Sequence, residues 1–188
     1  MKRMLITLLV LCAVFVASAE VTFDLFGDAG LYGILDDQAG PLSYTNAGIV
    51  ATFTASDGTM NRTGSGFGLN SSIGGDDTDA FDFGEWITIT FDQDVVLTNI
   101  NVSSWNAGTD QATIYVEGVS NGVITATGNA GFSINVGEND VLRIEGTAGT
   151  IGNGWSLNSI TVVPEPATVA MFGVGGFIAF IIRRSALK

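Results

Sequence analysis

The chain has 188 residues, and its seven Lys and Arg are outnumbered by 19 Asp and Glu, for a formal net charge of −12. That balance excludes a nucleic-acid binder or a protein attracted to anionic lipid, both of which work through clustered basic side chains. Histidine is absent and the one cysteine is Cys12, so a disulfide framework, the usual zinc ligand sets and any Ser/His or Cys/His relay are excluded as well, and a non-enzymatic role is expected.

The N-terminus opens with Met1-Lys2-Arg3, continues as an apolar run from Met4 to Val16, and ends in Ala17-Ser18-Ala19. A basic start, an apolar centre and small residues at the −3 and −1 positions read as a secretory signal peptide over residues 1–19, with Ala17 and Ala19 marking cleavage after Ala19. Leu11 before Cys12 is too bulky for a lipidation signal. Five of the seven basic residues lie in the two terminal segments, which leaves Arg62 and Arg143 against 18 acids between Glu20 and Val163, a formal charge of −16.

From Glu20 to Val163, short alternating segments are punctuated by Gly, Asn, Asp and Ser, with almost no helical periodicity. The alternation predicts strands at 21–26, 49–54, 66–70, 86–91, 95–102, 112–117, 123–127, 131–136, 141–146 and 156–163. In the run Trp86 to Phe91, Ile87, Ile89 and Phe91 share one face while Thr88 and Thr90 share the other. Leu142 and Ile144 point inward in the same way, leaving Arg143 and Glu145 to water. Turn chemistry at Asp92-Gln93-Asp94, Asn121-Gly122 and Gly137-Glu138-Asn139-Asp140 predicts tight hairpins there. Eight to ten short antiparallel strands over residues 20–163 suit two packed sheets, and the fold expected is an all-β, jelly-roll-like antiparallel β-sandwich. Long connections are expected at 27–48, 55–65 and 71–85, where function would sit if the domain has one.

The densest constellation is Gly74 to Glu85, where Asp76, Asp77, Asp79, Asp82 and Glu85 stand in ten positions ahead of a strand. Oxygen-only ligands on a Gly-rich loop suit calcium, although the spacing is not that of an EF-hand. The alternative is a solvated loop whose carboxylates satisfy turn amides. A pair of acids also suits glycoside hydrolysis, but acids are so abundant here that no pair is singled out. Trp86, Trp105 and Trp155, with Tyr44 and Tyr115, are the aromatics from which a sugar-stacking platform could be built, Trp105 foremost because it lies in the polar stretch Ser103 to Gly108. The competing role for all of them is packing.

The last strand ends before Pro164, which cannot donate to a ladder, and Glu165 between Pro164 and Pro166 makes a stiff, extended spacer. Residues 167–182 carry no charge over 16 positions, about 24 Å as a helix against a bilayer core of about 30 Å, so a short C-terminal transmembrane helix is expected. Arg183, Arg184 and Lys188 then stay on the cytoplasmic side by the positive-inside rule.

Pro164-Glu165-Pro166, the apolar segment and Arg183-Arg184, in that order over residues 164–188, resemble the tripartite PEP-CTERM sorting signal of Gram-negative bacteria. The resemblance implies export across the inner membrane, transient anchoring there, and recognition of Pro164, Glu165 and Pro166 by an exosortase that processes the tail. It also implies a cell-surface or biofilm-matrix protein associated with exopolysaccharide. The middle of the chain is similar to small β-sandwich domains found ahead of such tails, a likeness that assigns no activity. A carbohydrate-binding module and a calcium-stabilised adhesin are the alternatives.

Overall fold

The structure, a computed structural model, describes residues 19–26, 39–63, 66–70, 80–103, 109–148 and 154–165. Residues Glu20–Pro164 form one compact unit. The second, Met1–Ala19 with Glu165–Lys188, lies almost wholly outside the described residues, and with it lie most of the expected signal peptide and the apolar segment 167–182. No helix among the described residues is long and apolar enough to cross a membrane.

The described residues form twelve strands: β1 (Val21–Asp24), β2 (Leu42–Asn46), β3 (Ile49–Ala55), β4 (Thr59–Thr63), β5 (Gly66–Asn70), β6 (Trp86–Phe91), β7 (Val95–Ser103), β8 (Gln111–Val116), β9 (Val119–Ile124), β10 (Gly128–Val136), β11 (Leu142–Ala148) and β12 (Ser156–Pro164). They pair antiparallel into two six-stranded sheets. Sheet A runs β10-β7-β12-β5-β4, with β1 also on β12; sheet B runs β2-β3-β6-β11-β8-β9. The described residues are all-β, two antiparallel sheets around one core, as a sandwich requires.

Alternation explains the core. Ile49, Ala51 and Phe53 of β3, Ile87, Ile89 and Phe91 of β6, Leu142 and Ile144 of β11, and Ala112 and Ile114 of β8 supply the buried face of sheet B. Phe23, Met60, Phe67, Leu69, Ile100, Ile160 and Val162 supply that of sheet A. Strict alternation fails in one place that matters. Along β7 the buried residues are Val95, Leu97, Ile100 and Val102, so the inward phase slips between 97 and 100. The register explains it: Thr161 faces Asn99 but Val162 faces Leu97, leaving Thr98 unopposed as a β-bulge. The β10 to β7 ladder is also irregular there, between Gly131 and Ile134.

The hairpin expectations fail for an instructive reason. Asp92 to Asp94 joins β6 of sheet B to β7 of sheet A, and Gly137 to Asp140 joins β10 of sheet A to β11 of sheet B, so both turns cross the sandwich. Turn residues specify a reversal of the chain and not which sheet receives the next strand. The hairpin between β8 and β9 turns at Glu117-Gly118, both at positive φ (50° and 78°), as a tight two-residue loop requires. Asn121-Gly122 instead lies inside β9, where Ser120 faces Tyr115 and Gly122 faces Ile114, so Asn121 is a bulge residue. The strand expected at 123–127 therefore lies earlier, at Val119–Ile124. Two strands fall in stretches expected to be connections: β2 and β4 are both sheet edges with few apolar side chains, Leu42 and Tyr44 of β2 being only partly covered and Met60, fully buried, being the single apolar residue of β4.

Register also gives the sandwich two unlike ends. Short turns at Ala47-Gly48, Asp92 to Asp94, Glu117-Gly118 and Gly137 to Asp140 share one end with the start of β1 and the finish of β12. The described residues that bound 27–38, 71–79, 104–108 and 149–153 all lie at the other.

Candidate functional site

At the loop end, Ala80 to Glu85 makes a pinned turn. Phe81 and Trp155 exchange backbone hydrogen bonds (2.6 and 3.3 Å), and their rings stack at 4.6 Å and 22°. The Gly84 N–H donates to the Gly146 carbonyl (2.8 Å) and the Gly146 N–H to the Glu85 carbonyl (2.9 Å). Within the turn, the Asp82 N–H donates to Glu85 Oε2 (2.8 Å) and the Glu85 N–H to the Asp82 carbonyl (3.1 Å). Both acids are 2% exposed, while Phe83 between them is 53% exposed. The buried Glu85 carboxyl closes the turn by accepting the Asp82 N–H. Of the five calcium candidates, the structure thus brings Asp82 and Glu85 together and gives Glu85 a turn-closing bond. Asp76, Asp77 and Asp79 lie outside the described residues, and among those described no group of three or more acids could hold a metal ion.

On the outer face of sheet B, Arg143 lies over Tyr115 (4.3 Å from guanidinium carbon to ring centroid) and Trp86 (5.6 Å). Its Nη2 is 3.1 Å from Glu145 Oε2. The register builds this cluster, since Arg143 faces Tyr115 on β8 and Glu145 faces Trp86 on β6. The guanidinium covers aromatic faces that a sugar ring would need, so this pair is packed rather than presented. Trp155 is 1% exposed in the core, and Tyr44 meets Phe23 edge-on at 5.6 Å. Neither is a platform. Trp105 lies outside the described residues.

The third location is the short-turn end of sheet A. Val162 faces Val21 on one side and Leu97 on the other, Val163 faces Val96, and Pro164 faces Val95. Pro164 is therefore the last residue of β12 and not part of the spacer expected to follow it. Glu20 is exposed at this end, one residue before the Val21 that faces Val162. Ala17, Pro166, Arg183 and Arg184 lie outside the described residues.

Residues 162–185 match the family model of the PEP-CTERM protein-sorting motif. The chain carries a PEP-CTERM sorting motif. It marks the protein for export and membrane-anchored sorting in Gram-negative bacteria, with an exosortase as the processing partner. The PEP-CTERM match begins at Val162, before the Pro-Glu-Pro run, and so takes in two valines that the strand pattern alone assigns to the domain. A search of curated proteins finds no match to the chain. Among solved structures, the crystal structure of Podospora anserina GH26-CBM35 β-(1,4)-mannanase is similar at 12% identity and a TM-score of 0.37, over 79% of this chain. This chain spans 28% of that one, and a likeness of that size says nothing of ligand or activity.

Proposed function

We propose that the protein is a non-enzymatic cargo of the exosortase system, a jelly-roll-like domain that is exported, held at the inner membrane by its tail, and delivered to the cell surface or an exopolysaccharide-containing matrix. The observation that carries this reading is the match of residues 162–185 to the PEP-CTERM motif. The strand orders β5-β12-β7-β10 and β6-β11-β8-β9 support the jelly-roll topology. The start of β1 and the finish of β12 lie at one end of the sandwich, and the described residues that bound the long connections lie at the other. Replacing Pro164, Glu165 and Pro166 together by alanine is expected to leave the chain unprocessed and membrane-bound in an exosortase-bearing host. Release at unchanged mass and in the same cell fraction would sink the reading.

A second reading, a polysaccharide-binding module, has one observation behind it: Phe83 is held outward on a turn whose backbone is bonded from several sides. Aromatic side chains fixed in this way stack well on sugar rings. On this reading the processed domain binds cell-surface polysaccharide on a glycan array and Phe83→Ala loses most of that binding; equal binding by both proteins removes it.

A further inference from the structure

The sorting motif and the sandwich share three residues. The motif match spans 162–185 and β12 spans Ser156–Pro164, so Val162, Val163 and Pro164 belong to both. β12 lies inside sheet A, with β7 on one side and β1 and β5 on the other. Val162 is fully buried. A processing enzyme takes its target as an extended segment with free backbone edges, and in a folded substrate it acts on the fraction in which the segment has opened. A segment cannot be a central strand and a bound peptide at once.

The ladder between β12 and β7 is irregular in two places, between Leu157 and Ser159 and between Thr161 and Val162, and the second is where such a separation would start. Thr98 is unopposed between the pairs Thr161 to Asn99 and Val162 to Leu97, so the last three residues of β12 form a short block beyond a bulge. The ladder between β10 and β7 is interrupted at the same level. Thr98 Oγ1 donates to the Thr161 carbonyl (3.2 Å), which holds the strand on the domain side of the break. Pro164 closes the block with no N–H to donate.

We propose that sheet A and the exosortase compete for Val162–Pro164: the tail is processed only in molecules whose last three β12 residues have come off β7 and β1, with the bulge at Thr98 as the point where the strand parts. This rests on the reading of the tail as an exosortase substrate. Domain stability at this end then sets the rate at which the protein leaves its membrane-held form.

The test locks the strand end in the full chain, in an exosortase-bearing host, and follows the mass of the protein over time. Directly opposed residues of an antiparallel pair stand at a Cα separation that a disulfide spans, and Val96 faces Val163. No cysteine lies between Glu20 and Pro164 to interfere. Val96→Cys with Val163→Cys is expected to slow processing at least tenfold when oxidised, with recovery in reductant. Inserting Gly-Ser-Gly-Ser-Val-Val between Val163 and Pro164 gives the enzyme a copy of the contested valines outside the sheet. That insertion is expected to restore full rate to the locked chain and to raise it in the unlocked one. Processing of the oxidised, locked chain at the unaltered rate, or an insertion that changes neither chain, overturns the competition alone. Failure of the unaltered chain to be processed at all overturns the exosortase reading, and the competition falls with it.

Discussion

Two glycines separate the two ways in which a missing side chain serves this fold. A Cβ on Gly118 would meet nothing within 4 Å, and its cost is conformational because φ is 78°. A Cβ on Gly146 would collide with the Asp82 carbonyl, which is backbone held in the pinned turn. Gly118→Ala is expected to cost about 1 kcal/mol, the left-handed penalty, and Gly146→Ala about 2–3 kcal/mol, since a bonded carbonyl must move. Urea unfolding of the exported domain measures both, and the order of the two is the sharper test. Glu85 makes a comparable contrast. Glu85→Ala removes the acceptor of the buried Asp82 N–H and is expected to cost about 2 kcal/mol, whereas Glu85→Gln keeps an acceptor oxygen and costs less. Equal losses in the two variants would show that charge rather than the bond to Asp82 is what the turn needs.

At the level of elements, β12 is the last strand made and an interior one in sheet A. A chain ending before Ser156 leaves β7 and β5 without their shared neighbour and strips Leu157, Ile160 and Val162 from the core. It is expected to lack a cooperative unfolding transition and to be degraded on export, while a chain ending at Pro164 unfolds cooperatively; circular dichroism during a melt distinguishes them. Release of the final three residues is far cheaper. Re-exposing Val162 costs about 1.5–3 kcal/mol and each ladder bond lost about 1 kcal/mol. The frayed population is then between roughly one in a hundred and one in several thousand molecules, low but well above global unfolding. Strand content was readable where alternation is strong, as in Trp86 to Phe91, whose bounds and faces agree with the structure. The edge strands β2 and β4 were not, because a strand with only one or two apolar side chains, Leu42 and Tyr44 in β2 and Met60 in β4, has no alternation to read.

Across the whole molecule, 18 acids against two basic residues between Glu20 and Val163 repel one another in the compact state. Raising salt from about 0.01 M to about 0.3 M, which shortens the screening length several-fold, is expected to raise the melting temperature of the exported domain by a few degrees. A melting temperature that falls with salt would mean that local pairs such as Arg143 to Glu145 outweigh the repulsion. The same charge predicts no binding to anionic vesicles or to DNA, by sedimentation or mobility shift.

Composition and local pattern were sufficient for the strand-rich class, for the acidic surface and for the tail signal, because each depends on residues close together in the chain or on simple counts. They placed the boundary between domain and tail at Pro164, since a proline without an N–H reads as a stop. Register moved that boundary. Which turns cross between sheets, that Arg143 reaches Trp86 and Tyr115, and that Val162–Pro164 serve strand and sorting motif alike all depend on partners far away in the sequence. Pairing between β1 and β12, formed by residues some 140 positions apart, brings the start of β1 and the finish of β12 together at one end of the sandwich. No local pattern carries that information, because hydrogen bonds between strands are insensitive to which residues they join.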